Sequence, residues 1–281
     1  MGLKTHSLMH TAKQTVECHE ITLPKLQPDQ VRARALCSGI SSGTEALVFR
    51  GEIEPETQLD ENLTGLKDST SKYPFSYGYA WVGVIEEMGD KVDNLCIGDR
   101  VFAFAPHQQH HILDAADCFQ LPPSIESHTA TLLPSMETAL SIVQDAGPIA
   151  GEEICIFGQG LIGLLTTWIL SGLRLGTLRV VDPIKERHPK SIELGADEAL
   201  TPDEVQSLLP VDTTIEVSGN PEALSNAILH TRKHGKIIIA SWYGTRTSEL
   251  ALGTHFHRGR LKIISSQVSN LNPALEGTWD K

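Results

Sequence analysis

The sequence lacks the features that nucleic-acid-binding and membrane-spanning proteins require. Its 23 lysines and arginines are outnumbered by 35 aspartates and glutamates, which gives a formal net charge of -12, and the basic residues do not cluster. Because phosphate backbones are bound mainly by clustered Lys and Arg, we expect no nucleic-acid partner. The longest apolar stretch, residues 161–175, is interrupted by Gly, Thr and Arg, and residues 1–10 contain no apolar targeting segment. We therefore expect a cytoplasmic protein with no membrane contact.

Paired cysteines are absent as well. The five cysteines are an odd number at wide spacing, so they predict neither a disulfide framework nor a CxxC zinc site, and we expect buried free thiols. His107, His110 and His111 lie close together in the chain, but the alternation after them predicts a strand that points neighbouring side chains to opposite faces. We expect no metal there.

The first half of the chain is typical of an antiparallel β domain, to which we assign residues 1–150. Residues 30–36 and 81–88 are predicted strands, and a Gly-Asp turn at 98–99 leads into a third at 101–104. Residues 52–72 are polar, acidic and without periodicity, which predicts a long loop that is either a lid or a surface insertion.

An aromatic residue recurs at every second position between residues 73 and 81. The set is Tyr73, Phe75, Tyr77, Tyr79 and Trp81. Alternation predicts that these rings share one face of a strand, where they either bind a flat or bulky substrate or form core.

From residue 152 the pattern changes to alternating strands and helices, and we assign residues 151–281 to a second domain. The predicted strands are 154–157, 178–181, 213–217, 236–240 and 261–265, and the predicted helices are 161–173, 185–194, 202–209 and 221–232. Such alternation predicts a doubly wound, mostly parallel sheet whose ligand site lies beyond the carboxyl ends of its strands.

A GxGxxG sequence follows the first of these strands and opens a helix. Its residues are Gly158, Gln159, Gly160, Leu161, Ile162 and Gly163. Gly158 permits the tight turn, Gly160 allows close approach of a pyrophosphate, and Gly163 allows the helix to pack on the strand. The helix N-terminus adds free N–H groups and partial positive charge, so the segment predicts a dinucleotide site.

Asp182 ends the second predicted strand of this domain. A carboxylate there hydrogen-bonds both ribose hydroxyls of the adenosine half and repels a 2′-phosphate, which favours NAD over NADP. Lys185 and Arg187 follow closely and could soften that preference.

Several motifs resemble the medium-chain dehydrogenase/reductase superfamily, whose members include the alcohol dehydrogenases. They are Thr44-Glu45 with Phe49-Arg50-Gly51-Glu52, Gly98-Asp99-Arg100-Val101, Gly195-Ala196-Asp197, residues 215–221 (IEVSGNP) and Gly235-Lys236-Ile237. Residues 38–45 (SGISSGTE), 77–80 (YGYA), 106–108 (PHQ) and 241–244 (SWYG) are most similar to the group that includes bacteriochlorophyllide dehydrogenases.

The resemblance implies a GroES-like β domain followed by a Rossmann domain, a nicotinamide cofactor, and a homodimer paired through residues 261–266. It adds Ser218, Gly219, Trp242 and Tyr243 to the cofactor-binding candidates. We also expect the return of the chain to the β domain to be missing, as in a fragment, a shortened gene or a fold completed by a partner chain.

The sequence departs from the superfamily where its zinc ligands lie. The cysteine position falls on Ser42, the GHE-like histidine and glutamate positions fall on Tyr79 and Ala80, and the third ligand position falls at or near Pro134. The four-cysteine structural lobe is also absent. Since catalytic zinc needs thiolate, imidazole or acidic ligands, the resemblance implies an enzyme without zinc.

Without zinc, another group must exchange the hydroxyl proton of an alcohol. Tyr79 and Thr44 are the first candidates, since one stands at a ligand position and the other matches the hydroxyl relay position of the superfamily. Glu45, Glu137 and His107 follow, with Gln108 expected to line the substrate pocket. For Tyr79, the alternative is plain packing. For either glutamate, the alternative is a carboxylate that is solvated or paired with an arginine.

The sequence thus predicts a zinc-independent, NAD(P)(H)-dependent oxidoreductase acting on a small-molecule secondary alcohol or ketone. One alternative is a quinone or enone reductase of the same superfamily, in which hydride goes to carbon without a metal. The other is a non-catalytic NAD(H)-binding sensor or assembly factor.

Overall fold

The computed structural model describes residues 2–58, 70–268 and 271–278. Contacts divide the chain into two compact units, Met1–Pro134 and Ser135–Lys281. The predicted domain boundary, between residues 150 and 151, rests on the change in sequence pattern near that point. The division between the two units lies earlier in the chain, next to the start of helix α3. Most of the loop predicted at 52–72 lies outside the described residues.

The first unit is built from two antiparallel sheets. Its elements are β1 (Lys4–Ala12), β2 (Thr15–Thr22), β3 (Gln30–Ser38), α1 (Thr44–Arg50), β4 (Phe75–Ser76), β5 (Trp81–Met88), β6 (Arg100–Ala103), β7 (His110–Asp114), β8 (Phe119–Gln120) and α2 (Ser127–Ala130). One sheet has the order β2-β1-β4 and the other the order β7-β3-β5-β6-β8. The predicted antiparallel β domain is confirmed.

Alternation along β3 and β5 produces the core of this unit. Val31 and Ala33 of β3 and Trp81 and Ile85 of β5 are buried in one cluster, as period-two burial in a half-covered sheet requires. Trp81 also donates its indole N–H to the carbonyl of Gln108 at 2.8 Å. The core therefore buries a large ring without leaving its polar atom unpaired.

The prediction that the five aromatics share one strand face is wrong. Only two residues of that stretch form β4, and the positive φ of 123° at Gly78 interrupts the extended chain before β5 begins. Phe75 and Tyr77 pack with α1 in one cluster, whereas Trp81 belongs to the core of the five-stranded sheet. Local alternation could not reveal this break because Gly78 itself lies between rings.

The second unit carries the predicted strand and helix alternation. Its elements are α3 (Leu133–Ala146, shared with the end of the first unit), β9 (Glu153–Phe157), α4 (Leu161–Ser171), β10 (Thr177–Val181), α5 (His188–Glu193), β11 (Glu198–Leu200), α6 (Pro202–Val205), β12 (Val211–Glu216), α7 (Pro221–Leu229), β13 (Thr231–Ile239), α8 (His257–Gly259) and β14 (Lys262–Ser265). A 3-10 turn, Lys185–Arg187, precedes α5, and a π-helical turn, Leu252–Phe256, precedes α8.

The six strands form one parallel sheet in the order β11-β10-β9-β12-β13-β14. The chain steps outward from β9 to one side and then restarts at β12 on the other, which is the Rossmann strand order. The predicted α/β class with a doubly wound parallel sheet is confirmed. Ligands of such sheets bind beyond the carboxyl ends of the strands where the order reverses, which here are the ends of β9 and β12.

Apolar residues cover both faces of this sheet. Ile154, Ile156 and Ile215 pack with α3 and α4 on one face, while Phe157 and Ile237 pack with α7 on the other. Strands buried on both sides need nearly continuous apolar sequence, which explains why their existence was predictable.

No described helix combines the length and the apolar character that a membrane crossing requires.

All five cysteines are free, but Cys18 and Cys96 are exposed, so the expected burial is wrong for these two.

Candidate functional site

The glycine turn lies at the carboxyl end of β9 and adopts the geometry that the motif predicts. Gly158 has a φ of 105°, and a Cβ built on it would stand 2.5 Å from the Cα of Ser218. Any other residue would therefore be strained and would strike the neighbouring backbone.

The other two glycines differ in what surrounds them. A Cβ on Gly163 would lie 2.0 Å from the carbonyl oxygen of Gly158, because α4 packs tightly on the turn. A Cβ on Gly160 would meet nothing within 4 Å, and no side chain caps α4 at this residue. Leu161 and Ile162 open the helix here, so its first N–H groups form an open cradle for an anion.

Gln159 anchors the turn from the inside. Its side chain is fully buried, and its Oε1 accepts hydrogen bonds from Thr167 Oγ1 at 3.1 Å and Ser191 Oγ at 2.9 Å. Its Nε2 donates to the Gly158 carbonyl at 2.9 Å. The side chain thus ties the turn to α4 and α5.

Asp182 follows β10 directly and is joined to the same turn. Its Oδ2 accepts the backbone N–H of Gln159 at 2.7 Å and Arg187 Nη1 at 3.1 Å, and its Oδ1 accepts the N–H of Ile184 at 2.8 Å. The Asp182 side chain is 2% exposed, whereas that of Arg187 is 42% exposed. The structure therefore brings the predicted ribose-binding carboxylate and the pyrophosphate turn together.

A buried carboxylate organises the loop after β12. Glu216 is fully buried, and it accepts hydrogen bonds from the N–H and hydroxyl of Ser218 and from the hydroxyl of Tyr243. Ser241 Oγ accepts the N–H of Gly219 at 2.9 Å. Burial, reinforced by the charge of Glu216, raises the pKa of Tyr243.

The loop after β12 brings Ser218 against Gly158, while Trp242 is 46% exposed. Glu216 is a residue that the sequence reasoning missed. An acidic residue at the end of an otherwise buried strand was the signal that could have revealed it.

In the first unit, a second polar cluster joins three separate segments. Glu45 of α1 accepts the backbone N–H of Ser41 on Oε1 at 2.8 Å, and His107 Nε2 lies 2.8 Å from its Oε2. His107 Nδ1 lies 2.8 Å from the hydroxyl of Ser38 at the end of β3. A carboxylate only accepts, so His107 carries its proton on Nε2, and its Nδ1 accepts the Ser38 hydroxyl.

Gly78 makes room for this cluster. A Cβ on Gly78 would lie 2.8 Å from His107 Nε2, so the ring fills the space beside the segment that leads to Tyr79. Tyr79 is half-buried and its ring packs edge-on against Tyr77 at 6.1 Å between centroids. Thr44 begins α1 and is half-buried beside Glu45.

The predicted residues do not all belong to this cluster. Glu137 lies on α3 within the second unit, whereas Thr44, Glu45 and His107 belong to the first unit. Gln108 donates from Nε2 to the carbonyl of His110. Ser38, in contrast, was not predicted, because a lone serine at a strand end has no distinguishing pattern.

The neighbouring histidines have separate partners. His110 Nδ1 lies 2.9 Å from Thr5 Oγ1, and His111 Nε2 donates to the Pro106 carbonyl at 2.9 Å. Burial lowers the pKa of His111 to about 4. Within residues 2–58, 70–268 and 271–278, no group of three or more His, Cys, Asp or Glu side chains is placed to hold a metal ion.

Zinc does not fit the positions where the superfamily binds it. Ser42 is exposed and offers a hydroxyl, Tyr79 offers a phenol, and Ala80 and Pro134 offer no donor side chain. Catalytic zinc takes Cys, His and carboxylate ligands, and none of these residue types is present at the four positions.

Comparisons with known proteins were made by profile, by sequence and by structure. No protein-family profile matches the chain. The chain is 27% identical over 264 residues to (R,R)-butanediol dehydrogenase of Bacillus subtilis, covering 82% of this chain and 75% of that protein. It is 25% identical over 290 residues to D-guloside 3-dehydrogenase of Escherichia coli, covering 95% and 82%. These two similarities support the resemblance to the medium-chain dehydrogenase/reductase superfamily.

The fold is shared with solved dehydrogenase structures. The chain superposes with a TM-score of 0.77 on a putative zinc-binding dehydrogenase from Sinorhizobium meliloti bound to NADP, at 18% identity, covering 97% of this chain and 86% of the other. The named relatives are dehydrogenases, which supports an oxidoreductase. Membership of the bacteriochlorophyllide dehydrogenase-like group stays a prediction.

Proposed function

We propose that the protein is a zinc-independent, NAD(H)-dependent oxidoreductase that interconverts a small secondary alcohol and its ketone. The observation that carries the proposal is the open glycine turn at Gly160, with Asp182 hydrogen-bonded to its backbone, at the reversal point of a parallel sheet.

The residues present fit a nicotinamide dinucleotide. The space at Gly160 and the first N–H groups of α4 would hold the pyrophosphate, and Asp182 would hold the adenosine ribose. When bound, the cofactor supplies hydride acceptance and donation at its nicotinamide ring. Gln159, Ser191 and Thr167 keep the turn rigid, so the site is organised before binding.

The charge at Asp182 supports NAD over NADP. A buried carboxylate beside the ribose repels a 2′-phosphate. Arg187 pairs with that carboxylate and is half exposed, so it weakens the preference for NAD over NADP without reversing that preference. Solved structures with this fold include one bound to NADP and one bound to NADH, which supports a choice of cofactor that depends on these side chains.

The names of the sequence relatives support the substrate class. One is a dehydrogenase of a butanediol and the other a dehydrogenase of D-guloside at position 3, which are both hydroxyl compounds. Zinc independence rests on the donor chemistry at Ser42, Tyr79 and Ala80. We also propose a cytoplasmic homodimer paired through β14, an edge strand of the sheet.

The experiment is turnover with NAD+ on a panel of secondary alcohols and diols, run after treatment with a zinc chelator. We expect NADH formation that chelation does not reduce. Turnover of enones or quinones with NADH instead would favour the reductase alternative. NADH binding with no turnover of either panel would favour the sensor alternative, and activity lost on chelation and restored by zinc would contradict zinc independence.

A further inference from the structure

The Ser38–His107–Glu45 cluster has the parts of a proton relay. The side chains of His107 and Glu45 are each 8% exposed, whereas Ser38 is exposed. The chain of hydrogen bonds therefore runs from a buried carboxylate, through an imidazole, to a hydroxyl that a bound molecule can reach.

The direction of each hydrogen bond determines what the cluster can do. Ser41 N–H and His107 Nε2–H both donate to Glu45, so Nδ1 is the lone-pair nitrogen and the Ser38 hydroxyl donates to it. The Ser38 oxygen then presents its own lone pairs outward. An imidazole backed by a carboxylate is the usual arrangement of a general base that acts through a hydroxyl.

The surroundings leave the imidazole in place and keep water away from it. Gly78 has no Cβ where the ring lies, since a Cβ there would stand 2.8 Å from His107 Nε2. His10 on β1 is a titratable group that interacts electrostatically with both Glu45 and His107. His10 is buried, stacks on Phe75, and has an unpaired Nδ1.

Burial is the main cause that lowers the pKa of His10, with the charge of His107 acting in the same direction and that of Glu45 opposing it. His10 is therefore neutral at neutral pH. Glu45 is then the counter-ion available to an imidazolium at His107, and a charge that forms on the ring is stabilised within one hydrogen bond.

We propose that Ser38, His107 and Glu45 form the proton relay of the alcohol–ketone reaction, with Ser38 as the residue that contacts the substrate hydroxyl. This inference rests on the proposed function and names the residues that handle its proton. Ser38 was not among the residues predicted from the sequence, and Glu45 is a positioning residue that acts through His107.

The step balances in atoms and electrons. In alcohol oxidation the substrate O–H bond breaks and its proton passes to Ser38 Oγ, while the proton of Ser38 moves to His107 Nδ1. The C=O bond forms, and the C–H bond breaks with its electron pair leaving as hydride for the nicotinamide of NAD+. The substrate is oxidised by two electrons and the cofactor is reduced by two.

The test compares Ser38→Ala and Ser38→Thr with wild type in NAD+-dependent turnover across pH, using the panel of secondary alcohols and 2,3-butanediol. Ser124→Ala is the matched control, because it removes an exposed serine hydroxyl in the same unit, outside the described cluster. Fluorescence titration with NADH checks that each variant still binds the cofactor.

We expect Ser38→Ala to lower kcat roughly 100-fold or more, the size of a lost general-base contribution, with NADH binding unchanged. Its residual activity should rise more steeply with pH, since hydroxide replaces the missing base. Ser38→Thr retains the hydroxyl and should keep most of the activity, and Ser124→Ala should match wild type. A Ser38→Ala variant with the wild-type kcat and pH profile would overturn the relay.

A second measurement needs no substrate. Nitrogen-15 NMR of His107 should show that the neutral ring carries its proton on Nε2. A proton on Nδ1 would overturn the relay even if turnover is observed. If the wild-type protein turns over no alcohol while His107 carries its proton on Nε2, the proposed function is contradicted. The hydrogen-bonded chain of Ser38, His107 and Glu45 is not.

Discussion

At the scale of single residues, two glycines of one motif have different physical tasks. Gly163 is required by the fold, because a Cβ there would lie 2.0 Å from the Gly158 carbonyl oxygen. Gly160 borders open space, so no neighbour in the fold requires a glycine there, and the proposed pyrophosphate would. A motif match alone does not separate the two tasks, whereas the geometry does.

Gly163→Ala should therefore lower both stability and NADH affinity. The clash is with backbone, which cannot rotate away, so we expect a cost of roughly 1–3 kcal/mol in the free energy of unfolding, as for other overpacked sites. Urea unfolding followed by circular dichroism measures it. Gly160→Ala is the matched control, and equal unfolding midpoints for the two variants would contradict the assignment.

Acid sensitivity is expected at His111. Its pKa is about 4 in the folded protein against an ordinary value of 6.5, because burial disfavours the charged ring. The unfolded chain therefore binds a proton first, and stability should fall as pH drops from 6.5 toward 4, by about 3 kcal/mol at most.

Urea midpoints measured between pH 7 and pH 4 test this expectation. His111→Gln cannot titrate, and its amide can still donate to the Pro106 carbonyl, so its midpoint should change less with pH than that of wild type. Parallel pH dependences in the two proteins would show that His111 is not the responsible group.

The sequence could predict that the glycine turn and Asp182 lie together, but not that Ser38, Glu45 and His107 do, for a physical reason. The turn residues are neighbours in the chain and follow a strand, so spacing alone places them together. Ser38 and His107 are separated by 69 residues and Glu45 and His107 by 62, so their contact depends on tertiary structure. Glu45 and His107 were predicted separately, on a motif, and nothing local indicated that they form a pair.

At the scale of elements, hydrophobic periodicity found strands whose buried residues are apolar and missed others. β1 was not predicted, since its buried residues Thr5, Ser7 and His10 are polar. β9, β12 and β13 appear as apolar runs because both faces of the sheet are covered. β2 was not predicted, since nearly all of its residues are exposed and no alternation is visible. β11 was missed because it has only three residues.

Helix ends were predicted less well than helices. The predicted helix 202–209 ends at Val205, and the predicted helix 221–232 ends at Leu229 because β13 begins at Thr231. In the second case the residues after Leu229 pair with β12, and the sheet hydrogen bonds prevail over helical periodicity.

The loop after β12 is held to the loop after β13 by the Tyr243 hydroxyl. Tyr243→Phe leaves Glu216 buried with fewer donors, and we expect a loss of roughly 1–3 kcal/mol in the free energy of unfolding. The measurement is urea unfolding. Trp242→Phe is a suitable control because Trp242 is half exposed, and a Tyr243→Phe midpoint equal to that of the control would contradict the role assigned to Glu216.

At the scale of the whole molecule, each unit carries a different part of the proposed chemistry. The second unit holds the turn and the carboxylate that fit a dinucleotide, and the first unit holds the Ser38–His107–Glu45 cluster. The alternation of strands and helices predicted the class of the second unit, whereas the order of its strands follows from pairing between segments far apart in sequence.

Dinucleotide binding at the glycine turn is tested most directly by calorimetric titration of the purified chain with NADH and with NADPH, alongside the Gly160→Ala variant. We expect wild type to bind NADH more tightly than NADPH, and Gly160→Ala to bind neither while its unfolding midpoint stays near that of wild type. Wild-type protein that binds NADPH but not NADH, or a Gly160→Ala variant that binds NADH with undiminished affinity, would contradict this expectation.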